Sequence, residues 1–159
     1  MRSFLRRWYG MAGNRLQHLN ANDWILVQAK AVRHSYKLGD QIIRQGEWPN
    51  GVFIIREGQA TVELAESSSR ATLARLGPGD ICGEISFLEQ GKATAAVIAS
   101  EEQVEVDEIG SRELRAMFEA FPGLASRFYL SLAVLLAQRL KETSKELAHE
   151  ISLHDRRDK

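Results

Sequence analysis

Cysteine is nearly missing from this chain. Cys82 is the single one among 159 residues, which excludes an intrachain disulfide framework and sits most easily with a reducing cytosol. Net charge is missing as well: 21 acidic and 21 basic side chains cancel. That argues against a nucleic-acid binder, whose domain shows a basic excess or stripe. There is no secretory h-region and no apolar run long enough to span a bilayer. Histidine is sparse and scattered, at positions His18, His34, His149 and His154. A metal-binding β-roll enzyme of the cupin kind would gather several histidines and a carboxylate on neighbouring strands. Only His34 falls in a predicted strand, without an H-x-H partner, so no metal set is expected. No Ser-His-acid or Cys-His constellation can be assembled, so no catalytic residue is expected, and Cys82 reads as a small buried hydrophobe.

What is present describes one ordinary globular domain. Hydrophobic residues make up 44% and charged residues 26%, and a chain of this length buries a self-sufficient core. Its texture changes twice. Residues 1–30 read as a helical segment: Asn20 or Asn22 can cap a helix carrying Trp24, Leu26, Val27 and Ala29 at helical spacing. Before it, Arg2, Arg6, Arg7 and Arg15 stand among Phe4, Leu5, Trp8 and Tyr9. That pattern reads as a short amphipathic helix packed on the domain rather than a targeting peptide.

Residues 31–110 read as strands. Val32–Tyr36, Gln41–Arg44, Val52–Arg56, Ala60–Ala65, Thr72–Leu76, Thr94–Ala99 and Gln103–Ile109 are short apolar or β-branched runs separated by glycine turns, with Ser67, Ser68 and Ser69 as a polar hairpin loop. Such spacing signals a sandwich, barrel or jelly roll, and no strand alternates with a helix in the βαβ manner. Residues 111–155 read as helices. Ser111 starts one, Pro122 and Gly123 break it, and a long helix runs from Leu124 to about Leu153 in good helix formers. Along it Tyr129, Ala133, Leu136, Leu140, Thr143 and Leu147 follow alternating four-and-three steps, a weak coiled-coil seam.

The chemistry concentrates in residues 77–97, from Gly77 through Gly83, Glu84, Ile85 and Ser86 to Val97. Glycine with small neighbours lets the backbone approach an anion closely. A helical turn after Gly83 would aim the amides of Ile85 and Ser86 at that anion. Glu84 at the same turn would then need a hydroxyl as its partner, because a carboxylate beside an anion is unfavourable.

This stretch resembles the phosphate-binding cassette of cyclic nucleotide-binding domains, as found in catabolite activator proteins, regulatory subunits of cAMP-dependent kinase and cyclic nucleotide-gated channels. The resemblance covers roughly residues 19–140 and includes the turns Tyr36–Gly46, Val52–Gly58 and Leu76–Asp80. It implies an eight-stranded antiparallel jelly-roll β-roll, mainly β with flanking α. It implies that Gly83 and Glu84 meet a ribose 2′-hydroxyl, and that the backbones of Ile85 and Ser86 meet a cyclic phosphate. It also implies an arginine late in the cassette. Here the sequence departs from the pattern: aligned without a gap, the arginine slot holds Ala93, followed by Thr94 and Ala95, whereas a loop shorter by one residue puts Lys92 there. The ungapped register keeps Val97 in inward strand phase. Losing a planar fork from a buried phosphate costs on the order of a few kcal/mol, more than about a hundredfold in affinity.

In this fold the last helix lies over the nucleotide. Phe128, Leu132 and Leu135 would form a lid on the base and Val62 and Leu73 its floor, unless all five are plain core; Gln138 and Arg139 are the nearest polar candidates for reading the base. The expected function is a cytoplasmic regulatory module that binds a 3′,5′-cyclic mononucleotide and signals through its C-terminal helix to a second copy of itself or an effector. The competing readings are a ligand-independent dimerisation domain with a degenerate pocket, and a small cupin-type enzyme. No winged helix-turn-helix follows the last helix, so DNA binding is not expected of these residues. The chain then reads as a stand-alone sensor or the sensing portion of a longer one.

Overall fold

The computed structural model describes residues 16–157; the basic, aromatic stretch from Arg2 to Arg15 lies outside the described residues. The first element, α1 (Ala21–Lys30), begins where local chemistry dictates. The Asn20 side chain accepts from the Asp23 amide and the Asp23 carboxylate accepts from the Asn20 amide, a reciprocal capping box. Trp24 and Val27, one turn apart, are buried.

Eight strands follow: β1 (Val32–Tyr36), β2 (Gln41–Ile43), β3 (Gly51–Glu57), β4 (Ala60–Glu66), β5 (Ser69–Leu76), β6 (Ile81–Cys82), β7 (Ala96–Ala99) and β8 (Val104–Gly110). They form two four-stranded sheets in the orders β1-β8-β3-β6 and β2-β7-β4-β5, and every pairing is antiparallel. The pairings are nested, first with last and innermost with innermost, which is jelly-roll topology. Several strand ends shift by one residue; the larger changes are that the strand expected from Thr94 starts at Ala96 and that Ser69 opens β5 instead of lying in the hairpin loop, while β6 is a strand the spacing does not predict. Two residues carry no readable alternation, so β6 exists only because β3 offers it a ladder at Phe53 and Ile54.

The unbroken apolar run of β3 has a structural cause. Val52 and Ile54 join a core beneath the helices, and Phe53 and Ile55 join a second core inside the roll. A strand covered on both faces needs no polar alternation. β5 is the opposite case, a sheet-edge strand exposed along all its length except Leu76.

The short helix α2 (Glu84–Glu89) leaves β6. After β8 come α3 (Ser111–Ala120) and the long α4 (Pro122–Arg157). Pro122 is the first residue of α4, where its missing N–H is no loss. Leu124, Phe128, Leu132 and Leu135 are buried against the roll. The expected seam is divided: Leu140 and Leu147 are exposed, whereas Tyr129, though partly exposed, packs on Phe118 with ring centroids 5.2 Å apart. α4 is fastened to the N-terminal segment by polar bonds. Arg127 donates twice to Asp23, at 2.6 and 2.7 Å, and the His18 amide donates to Ser131 Oγ at 3.1 Å. Among the described residues no helix is long and apolar enough to cross a membrane.

Candidate functional site

Gly83 is the hinge of the site. Its φ is +79°, and a Cβ there would stand 2.8 Å from the Gly51 carbonyl oxygen. No L side chain is comfortable on either count. That left-handed residue turns the chain from β6 into α2, with the Phe87 amide bonded to the Gly83 carbonyl at 3.1 Å. The amides of Ile85 and Ser86 lie in the first turn of α2, where a helix has no internal acceptor to offer. Neither is taken up by strand pairing, and both residues line a cavity of about 510 Å³. That volume is in the range of small-molecule sites.

The cavity is bounded by the β4–β5 hairpin, the cassette and the distal part of α4. Gly83, Glu84, Ala93, Thr94 and Ala95 share its wall with Ile85 and Ser86. Ala93 is buried and held on both sides, its amide donating to the Glu47 carbonyl at 2.8 Å and its carbonyl accepting from the Gly46 amide at 2.7 Å. Lys92 is exposed and does not line the cavity.

Glu84 is only 3% exposed and forms a short ion pair with Arg139 Nη1, while Arg139 Nη2 donates to the Ile81 carbonyl at 2.7 Å. One arginine thus ties α4 to both ends of the β6–α2 turn. Burial pushes the Glu84 carboxyl above the ordinary range, and Arg139 pulls part of the way back. Burial likewise pushes the Cys82 thiol well up, which leaves it protonated and inert as a nucleophile.

Of the base-end candidates, Val62, Leu73, Leu135, Gln138 and Arg139 line the cavity. Phe128 and Leu132 do not. They are fully buried in the core beneath the helices, because the inward stripe of α4 meets the roll before it reaches the cavity, and only Leu135 extends far enough. Phe128 instead belongs to a ring cluster: its centroid is 6.3 Å from Phe87 of α2 and 5.1 Å from Phe118 of α3. Glu142, Thr143 and Glu146 also line the cavity and were not anticipated. The available signal was continuation of the inward stripe from Leu135 and Arg139 at helical spacing. A bulge in the β4–β5 ladder between Val62 and Glu63 leaves Leu73 without a partner in the register and places it at the cavity. His34, for its part, pairs with Glu108 at 2.8 Å.

In sequence and fold the chain is similar to known proteins. The family model described as "Cyclic nucleotide-binding domain" matches residues 33–121. The chain is 33% identical over 142 residues to "Cyclic GMP-binding protein C" of Dictyostelium discoideum, covering 84% of this chain and 5% of that protein. It is 33% identical over 120 residues to the "Cyclic AMP receptor protein" of Thermus thermophilus, covering 72% of this chain and 51% of that one. The crystal structure of the Thermus thermophilus catabolite activator protein superposes with a TM-score of 0.70 at 28% identity, over 85% of this chain and 62% of that one. The chain therefore spans about half the length of the receptor protein, and a small part of the much longer Dictyostelium protein. With its nested roll, its left-handed glycine and its buried cassette glutamate, the chain belongs to the cyclic nucleotide-binding domain family.

Proposed function

We propose that this regulatory domain takes a 3′,5′-cyclic mononucleotide into the cavity beside Gly83 and reports occupancy through α4. The observation that carries the reading is the Glu84–Arg139 pair, which joins the cassette to α4 in the wall of that cavity. A buried carboxylate holding one arginine is a costly arrangement unless further hydrogen bonds satisfy it, and a ribose hydroxyl is the donor it lacks. In this reading Gly83 and Glu84 meet the ribose, the amides of Ile85 and Ser86 meet the cyclic phosphate beside Ala93, Thr94 and Ala95, and Val62, Leu73 and Leu135 enclose the base. Lys92, exposed outside the wall, is left to the long-range field.

Signal transfer follows from where α4 is held. Its first turns are bound to α1 through Asp23 and Arg127, and its middle is bound to the cassette through Arg139. A ligand engaging Glu84 changes the second fastening and leaves the first, so it favours one docking of the distal helix over another. The seam through Tyr129, Leu136, Leu140 and Leu147 is the surface by which two copies associate or an effector reads the shift. No catalytic role is proposed.

Calorimetric titration with the 3′,5′-cyclic mononucleotides of adenine, guanine and cytosine tests the reading. Saturable heat with one of them, together with a ligand-dependent change in small-angle scattering, is the expected result. No heat and no thermal shift at millimolar concentration rejects it and leaves a ligand-independent dimerisation domain.

A further inference from the structure

We propose, building on the cyclic mononucleotide reading, that Arg139 of α4 supplies the positive charge for the bound phosphate, so that the anion site is complete only when the helix is docked. The charges around the cavity require such a donor. Its wall contains the carboxylates of Asp80, Glu84, Glu142 and Glu146 against two cations, Arg75 and Arg139. A further anion entering that wall is repelled unless a cation is brought to it. The cassette offers none: Ala93 presents a buried methyl group, and Lys92 is exposed outside the wall. Arg75 stands on the exposed edge strand β5, where water screens its charge.

Arg139 differs on each count. It is partly buried, its planar head lies at the cassette turn, and two of the five guanidinium N–H donors are engaged, one by Glu84 and one by the Ile81 carbonyl. The remaining three have no partner among the described residues. A ligand hydroxyl donating to Glu84 compensates that carboxylate as the fork turns toward, or bridges to, the phosphate. The arginine is carried about three helical turns beyond the Asp23–Arg127 fastening. Undocking the distal helix therefore removes the counter-charge, and ligand affinity and helix docking become one equilibrium.

The test is calorimetry on the whole chain with cAMP, cGMP and a neutral methyl phosphotriester of whichever nucleotide binds tighter. R139Q is expected to weaken the charged ligand about 100-fold and the neutral triester less than about 3-fold. A93R placed in the R139Q background is expected to recover at least about tenfold, by supplying a fork from the cassette side. Equal losses for charged and neutral ligands would reduce Arg139 to a structural role and overturn the proposal. So would a loss of the charged ligand in K92Q or R75Q without one in R139Q. Should R139Q fail to fold because Glu84 is left buried and unpaired, the comparison of E84Q with E84Q/R139Q reads the same charge dependence. A wild-type chain that binds none of the ligands defeats the cyclic mononucleotide reading itself, an outcome distinct from every variant result.

Discussion

Gly83 and Glu84 show how much a single position can demand. Gly83→Ala sets a β-carbon against the Gly51 carbonyl oxygen at 2.8 Å in a left-handed backbone. The expected destabilisation is on the order of 2–3 kcal/mol, read by urea denaturation, and a smaller loss would mean that the β6–α2 turn can rearrange. Glu84 and Asp23 respond to acid with opposite signs. The Asp23 carboxyl is held below its ordinary range, first by hydrogen bonds from Arg127. Its contribution is therefore present above about pH 4 and lost as pH falls through the lowered value. The Glu84 carboxyl is raised by burial, so its charged form costs stability at neutral pH, and that cost disappears as pH falls through the raised value. Glu84→Gln should therefore melt above the wild type at pH 7, with the gap closing by about pH 4. A gap that widens on acidification would show that Arg139 outweighs burial. In the sequence Arg139 reads only as a polar candidate for reading the base, because its partner lies fifty-five positions away and no local pattern announces an ion pair of that span.

At the scale of elements, the helices divide their work by face. The inward stripe of α4 is core, so Phe128→Ala is expected to cost about 3–5 kcal/mol in chemical denaturation, with ligand affinity falling only as far as the ring cluster transmits it. Phe87→Ala separates the two roles better. Phe87 is the residue by which α2 meets Phe118 and Phe128, and its loss should leave nucleotide binding within about tenfold of wild type while suppressing the ligand-dependent scattering change. An unchanged scattering response would leave the coupling to the Glu84–Arg139 pair alone. On the outer face, Leu140 and Leu147 are 68% and 57% exposed. Under the proposed association of two copies through this face, Leu140→Lys with Leu147→Lys is expected to yield a monomer in light scattering without lowering the melting temperature of the roll. Most strands were legible from glycine punctuation, because a turn must leave a chemical mark while a strand needs only a few apolar residues. β6 was not, since a two-residue strand is defined by its neighbour alone.

At the scale of the whole molecule, the roll is a frame with two cores that share β3, and the helices are held against one of them. The proposed ligand site and the docking of α4 share one cavity, whose wall is drawn from a hairpin, a cassette and a helix that are remote in sequence. The amino-acid sequence by itself determined an all-antiparallel roll of short strands, a helix capped at Asn20 or Asn22, a break between the last two helices at Pro122 and Gly123, and a tight turn at Gly83 and Glu84. Each of those rests on local sterics and hydrogen bonding that a residue enforces wherever it is placed. Only the tertiary structure decided that Ala93 lies in the cavity wall and Lys92 outside it, that Phe128 and Leu132 are core, and that Arg139 grips Glu84. Those facts depend on where α4 crosses the roll. Packing over the full length of the helix sets that crossing, and no short stretch of residues records it.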